Sequence, residues 1–153
     1  DNVVRNSEVD GIFATGSDAV TVTGNDVGNS GQTGINLPAV RGATLADNDV
    51  RFSAQDAIRV TGSGGVAAVG NRLADNLGSG LLVEADAGAA FELDVRGNEI
   101  LRQVHGVFVR GCAGGAVTEN VIRASSLDGI LLRQCTAVAV VDNDIEASGG
   151  NGI

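Results

Sequence analysis

Apolar and polar residues alternate along this chain in short bursts, as in Val20-Thr21-Val22, Phe91-Glu92-Leu93-Asp94-Val95 and Val138-Ala139-Val140. A period of two sends successive side chains to opposite sides of an extended backbone, so each burst predicts a short strand with one buried face. No stretch carries apolar residues at helical spacing for several turns, and Gly or Asn interrupts every few positions. That pattern excludes amphipathic helices.

The bursts belong to a repeat. An asparagine followed two places later by an aliphatic residue occurs at Asn2, Asn25, Asn48, Asn71, Asn98, Asn120 and Asn143, at intervals of 23, 23, 23, 27, 22 and 23. A small residue followed by an aliphatic one forms a second ladder: Gly11-Ile12, Gly34-Ile35, Ala57-Ile58, Gly80-Leu81, Gly106-Val107, Gly129-Ile130 and Gly152-Ile153. Each repeat accommodates three strands, one before the Asn, one after it and one at the Gly-Ile step. Three strands per turn, stacked in register on the next turn, predict an all-β fold: a right-handed parallel β-helix of about 6.5 coils of ~23 residues. Successive coils would rise by about 4.8 Å, the spacing of neighbouring strands. The whole of 1–153 reads as one β-helix segment, and its two ends read as cuts in a longer solenoid.

The recurring Asn is expected at a sharp corner, in a left-handed conformation, passing amide hydrogen bonds from coil to coil. Ser7, Ser30, Ser53, Asn76, Gln103, Ser125 and Ser148 form a column at the opposite corner. Both columns are read as ladders that satisfy turn backbone. With these steps the chain resembles the pectate-lyase-like superfamily of right-handed β-helices, which includes polysaccharide lyases, mannuronan epimerases and noncatalytic relatives. The resemblance covers the whole chain. It implies a secreted, periplasmic or cell-surface protein concerned with carbohydrate, and a substrate groove along the Gly-Ile sheet.

Composition narrows the partners. There is no Trp, Tyr, Met or Lys, and the formal charge is −9. An acidic chain lacks the clustered positive charge that nucleic acid or anionic membrane requires. No apolar run approaches the roughly 20 residues that span a bilayer. Acidic residues beside the Asn corners, notably Asp26, Asp47, Asp49, Glu99, Glu119, Asp142 and Asp144, offer oxygen ligands to calcium, though a solvated ridge accounts for them too. The single His and the two Cys do not make a zinc or copper cluster.

Departures from the repeat are where chemistry would sit. Four extra residues fall between Gly80 and Asn98, around Glu84 to Ala90, and one residue is lost before Gly106. Counted along the Gly-Ile strands, His105 neighbours Asp128 one coil away, an arrangement able to orient an imidazole for proton transfer. Arg110 stacks between Glu84 and Arg133, which predicts a surface charge pair with Glu84. Arg59, Arg110 and Arg133 are also suited to gripping uronate carboxylates. Leu82, Phe108 and Leu131 make an outward apolar stripe, which points to a covering partner: a flanking segment of the parent chain, a protein or a sugar face. Cys112 and Cys135 point inward on successive coils, within reach of a disulfide; packing as two free thiols is the favoured reading.

Two functions follow. One is a noncatalytic scaffold that binds acidic polysaccharide or mediates adhesion. The other is a polyuronate lyase or epimerase with His105 as base, Asp128 as its orienter and Glu84, Phe108 and the arginines as substrate contacts. Against the second stand the absence of Tyr, the lack of the family's Asp-Pro-His-Asp motif, and a backbone separation of about 16 Å between His105 and Arg110. Open strand edges at both ends also predict end-to-end or lateral self-association of the isolated segment.

Overall fold

The computed structural model describes residues 1–62, 64–85 and 91–153. It contains three parallel sheets wound into one solenoid. The first sheet holds seven strands, from Val3–Arg5 to Asp144–Glu146, each placed just after an Asn of the ladder. The second, the Gly-Ile sheet, holds six, from Ile12–Phe13 to Ile130–Arg133. The third also holds six, from Asp18–Thr23 to Val138–Val141. Every strand pairs with its counterpart one coil away, as in Leu82↔Phe108 and Phe108↔Leu131. The solenoid expected from the repeat is therefore present, with the expected register.

The core is a stack of thin aliphatic layers. Val27, Val50, Leu73, Ile100 and Ile122 project inward from the first sheet, and Ile35, Ile58, Leu81, Val107 and Ile130 from the second. Glycine is required at the Gly-Ile step by crowding: a Cβ at Gly106 would lie 2.5 Å from both the Gly129 carbonyl oxygen and Ile122 Cγ2. Equivalent β-branched contacts confront Gly11, Gly34, Gly80 and Gly129. The exception is Ala57, fully buried, for which the corresponding residue one coil on is Leu73. Leucine branches one carbon further out and leaves room for the methyl.

The Asn ladder is continuous. Each Asn Oδ1 accepts both the backbone N–H and the side-chain Nδ2–H of the Asn one coil earlier, at 2.8–3.1 Å, from Asn2 through Asn143. Interior members also donate Nδ2–H to backbone carbonyls, as Asn98 does to Ala68 and Arg96. One detail differs from expectation. The left-handed residue is the one before the Asn: Gly24, Asp47, Gly70, Gly97, Glu119 or Asp142, with φ between 54° and 67°. The Asn itself is left free to aim its amide along the solenoid axis. The second corner works the same way, with Asn6, Asn29, Phe52, Asp75, Arg102, Ala124 and Ala147 left-handed at φ 54–58°. There the ladder is partial. Asn76 and Gln103 bond to turn backbone, whereas the buried hydroxyls of Ser30, Ser53, Ser125 and Ser148 have no hydrogen-bond partner among the described residues. A serine side chain is too short to reach both coils.

Candidate functional site

The outer face of the Gly-Ile sheet carries three columns. At one edge, just before each Gly, side chains cap the next coil: Asp10, Asp56 and Asp128 accept the backbone N–H of Thr33, Ser79 and Asn151 through Oδ1, at 3.0, 2.7 and 2.9 Å. His105 occupies the same position, and its Nδ1 lies 3.4 Å from the Asp128 backbone nitrogen. The same Nδ1 lies 3.4 Å from Asp128 Oδ2. Asp128 thus serves either form of the ring. Its N–H meets an Nδ1 lone pair, and its carboxylate meets an Nδ1–H, which would leave the Nε2 lone pair free as a base. Both side chains are mostly buried, at 16% and 17% exposed. The Asp128 carboxyl is held below the usual range, first by the N–H of Asn151 and against the opposing effect of desolvation. Burial pushes the Asp56 carboxyl up, with the Ser79 N–H pulling the other way.

The middle column joins these groups to the arginines. Phe108 packs against His105, with ring centroids 5.6 Å apart and planes tilted by 51°. The Arg133 guanidinium lies over the same ring, its Cζ 5.7 Å from the centroid. His105, Asp128, Phe108 and Arg133 therefore form one cluster across two adjacent coils. Arg133, rather than Arg110, is the arginine associated with the histidine. Leu82 and Leu131 flank Phe108, both half-buried.

At the far edge Glu84, Arg110 and Arg133 are register partners on consecutive coils. The charge pair expected between Glu84 and Arg110 is not formed. Arg110 instead donates from Nε to Gln134 Oε1 at 3.1 Å, a residue that the outward columns pass over because it belongs to the corner. Residues 86–90, which make up most of the insertion, lie outside the described residues.

The arginines divide by face. Arg5, Arg51 and Arg72 alternate with Asp26, Asp49 and Glu99 in a chain of ion pairs over the first sheet. Arg102 pairs with Asp75, Arg123 with Asp144 and Glu146, and Arg96 with Asp94. Arg59, Arg110 and Arg133 on the Gly-Ile face form no ion pair among the described residues, and neither does Arg41, which opens the third-sheet strand Arg41–Ala46. Four of the seven acids considered for calcium, Asp26, Asp49, Glu99 and Asp144, are engaged by these arginines. Among the described residues no three His, Cys, Asp or Glu side chains are grouped to hold a metal ion.

The thiols depart from the favoured expectation. Cys112 and Cys135 are joined as a disulfide, their Cα atoms 4.6 Å apart, because parallel register brings equivalent corner positions within the 4.4–6.8 Å that a bridge requires.

Residues 1–100 match the family model described as "Right handed beta helix region". The chain belongs to the right-handed β-helix family. This β-helix is also similar to the crystal structure of the periplasmic alginate epimerase AlgG, with a TM-score of 0.72 and 16% identity over 94% of this chain. A point mutant of AlgG gives a TM-score of 0.63 and 14% identity over 95% of this chain. The β-helix spans 43% and 42% of those two chains. A search of curated proteins finds no match.

Proposed function

We propose that this β-helix is a scaffold whose Gly-Ile face binds acidic polysaccharide, within a secreted, periplasmic or cell-surface protein. The observation that carries the reading is the partition of the arginines. The first sheet neutralises its guanidiniums in close ion pairs, while Arg59, Arg110 and Arg133 on the Gly-Ile face form no ion pair among the described residues and feel Asp56 and Asp128 only at longer range. They span three coil steps, about 14 Å along the axis, which suits a chain of repeated carboxylates better than one small acid. Similarity to an alginate epimerase supports an acidic polysaccharide as the partner.

Binding of polymannuronate and polygalacturonate oligosaccharides, followed calorimetrically at two salt concentrations, tests this. Replacing Arg59, Arg110 and Arg133 together by Ala should weaken binding at least about tenfold, since each charge-assisted bond contributes about 1.5–3 kcal/mol. Replacing the internally paired Arg5, Arg51 and Arg72 should leave it unchanged. Equal losses from both sets would refute a face-specific site. Glu84→Gln, which removes the carboxylate interrupting the basic edge, should strengthen binding.

A second reading, polyuronate epimerase or lyase, is favoured by the His105–Asp128 geometry. In it the imidazole, oriented through Nδ1 by Asp128, removes the proton beside a uronate carboxylate, and Arg133 stabilises the charge that develops. Proton NMR of alginate and pectate incubated with the protein, with and without calcium, would show inverted residues or unsaturated ends. Such signals should vanish in His105→Ala; their absence from the unaltered protein leaves the binding role alone.

A further inference from the structure

The disulfide lies where the basic edge meets the corner. Cys112 follows Arg110 by two residues and Cys135 follows Arg133 by two, with the left-handed Gly111 (φ 83°) and Gln134 (φ 53°) between. Three further links cross between the same two coils here: Gly111 N–H to the Arg133 carbonyl at 3.0 Å, Thr136 N–H to the Cys112 carbonyl at 2.9 Å, and Arg110 Nε to Gln134. On the other side of this corner the repeat is broken by four extra residues, so Arg110 borders the least regular coil of the sequence.

On that side Ala85 N–H bonds to the Arg110 carbonyl at 3.0 Å and Ala113 N–H to the Phe91 carbonyl at 3.2 Å, whereas on the other side a covalent bond is added to the hydrogen bonds. We propose that the Cys112–Cys135 bridge is a redox-sensitive strap that clamps the corner just beyond Arg110 and Arg133, fixes the placement of their guanidiniums, and so tunes the anion affinity of the Gly-Ile face. The identity of the anion rests on the polysaccharide reading; the strap itself does not. In the switching step an external dithiol breaks the Sγ–Sγ bond. The protein gains two electrons and two protons as two thiols, and the reductant becomes its own disulfide. Freed of the bond, the ladder still holds Arg110 opposite Arg133, but the corner carrying Gln134 is no longer clamped, and the Arg110 guanidinium that bonds to it loses its fixed placement.

Two readouts on the oxidised chain, the dithiothreitol-reduced chain and the Cys112→Ser/Cys135→Ser variant test this. Amide exchange at Gly111 and Thr136 should quicken about tenfold or more on reduction, while Val121 in the first sheet stays protected. Binding of a polymannuronate oligosaccharide should weaken about tenfold in the reduced chain and equally in the double serine variant, as expected when preorganisation is lost. Unchanged exchange at Gly111 and Thr136 would overturn the strap. Faster exchange with equal affinity would overturn its control of the arginines. Faster exchange with no binding by any form would uphold the strap and sink the polysaccharide reading.

Discussion

Single atoms decide much of this solenoid. The pairing of Ala57 with Leu73, where other coils pair Gly with a β-branched residue, implies that the two positions are coupled. Leu73→Ile should cost about 1–3 kcal/mol by overpacking the Ala57 methyl. Ala57→Gly should recover most of that loss, and a double-mutant cycle by urea denaturation would show the coupling; simple additivity would contradict it. In the Asn ladder, Asn98 is 2% exposed and bonds to both neighbouring coils. Asn98→Ala strands buried donors and carbonyls at about 1–3 kcal/mol each, so the expected loss is several kcal/mol, against almost none for Asn2→Ala at the exposed end. Titration separates two kinds of carboxyl. Asp26 is lowered chiefly by its bond from Arg5, and Asp75 chiefly by its bond from Arg102. Their folded-state values lie below the unfolded one, so their contribution is complete above the ordinary carboxylate range and is lost as pH falls through the lowered values. Asp56, raised by burial, has the opposite sign: it favours the fold below its unfolded value, and that benefit disappears as pH rises through the raised one. Asp56→Asn should therefore raise the melting temperature at pH 7 and change it little at pH 3. A loss at pH 7 would show that Asp56 is needed ionised.

Among elements, strands and corners differed in how far they could be read. Strands were legible because alternation is a property of neighbouring residues, and Val20-Thr21-Val22 declares its buried face without reference to any other coil. Corners were legible only in position. Seven residue types, from Gly to Phe, take the left-handed conformation at the first two corners, so no sequence signal separated the bent residue from the Asn beside it. The site shows the same divide. Alternation placed His105, Asp128, Phe108 and Arg133 on one face, since facing needs only a count. Which partner a long arginine chooses depends on its rotamers, so neither the Arg133–Phe108 contact nor the Arg110–Gln134 bond was visible beforehand. The disulfide was hidden for a related reason, because a 23-residue spacing brings two Cα atoms together and does not orient their sulfurs. Closing a loop of that length should contribute about 3 kcal/mol. Denaturation of the oxidised chain and the double serine variant would measure it, and equal midpoints would mean that the bridge confers no net stability.

For the molecule as a whole, stability is distributed along an axis, and each coil contacts only its neighbours. The polypeptide of residues 1–153 presents unpaired strand edges on its first and last coils, so it should associate end to end at micromolar concentration or fold poorly. A cooperatively melting monomer in sedimentation experiments would count against this. Asn ladder geometry says which ends can meet. Every amide in the column points the same way, its oxygen accepting from the earlier coil and its Nδ2–H donating to the later one. The column is thus a string of aligned dipoles, ending in an Asn2 oxygen with no Asn donor behind it and an Asn143 amide that bonds only to the Val117 and Val141 carbonyls, with no further Asn oxygen ahead of it. Two such rods placed front to front would oppose oxygen to oxygen, and back to back hydrogen to hydrogen. Only a head-to-tail joint continues the string, so the solenoid has a growth polarity, and whole coils can be gained or lost only in the sense that this polarity permits.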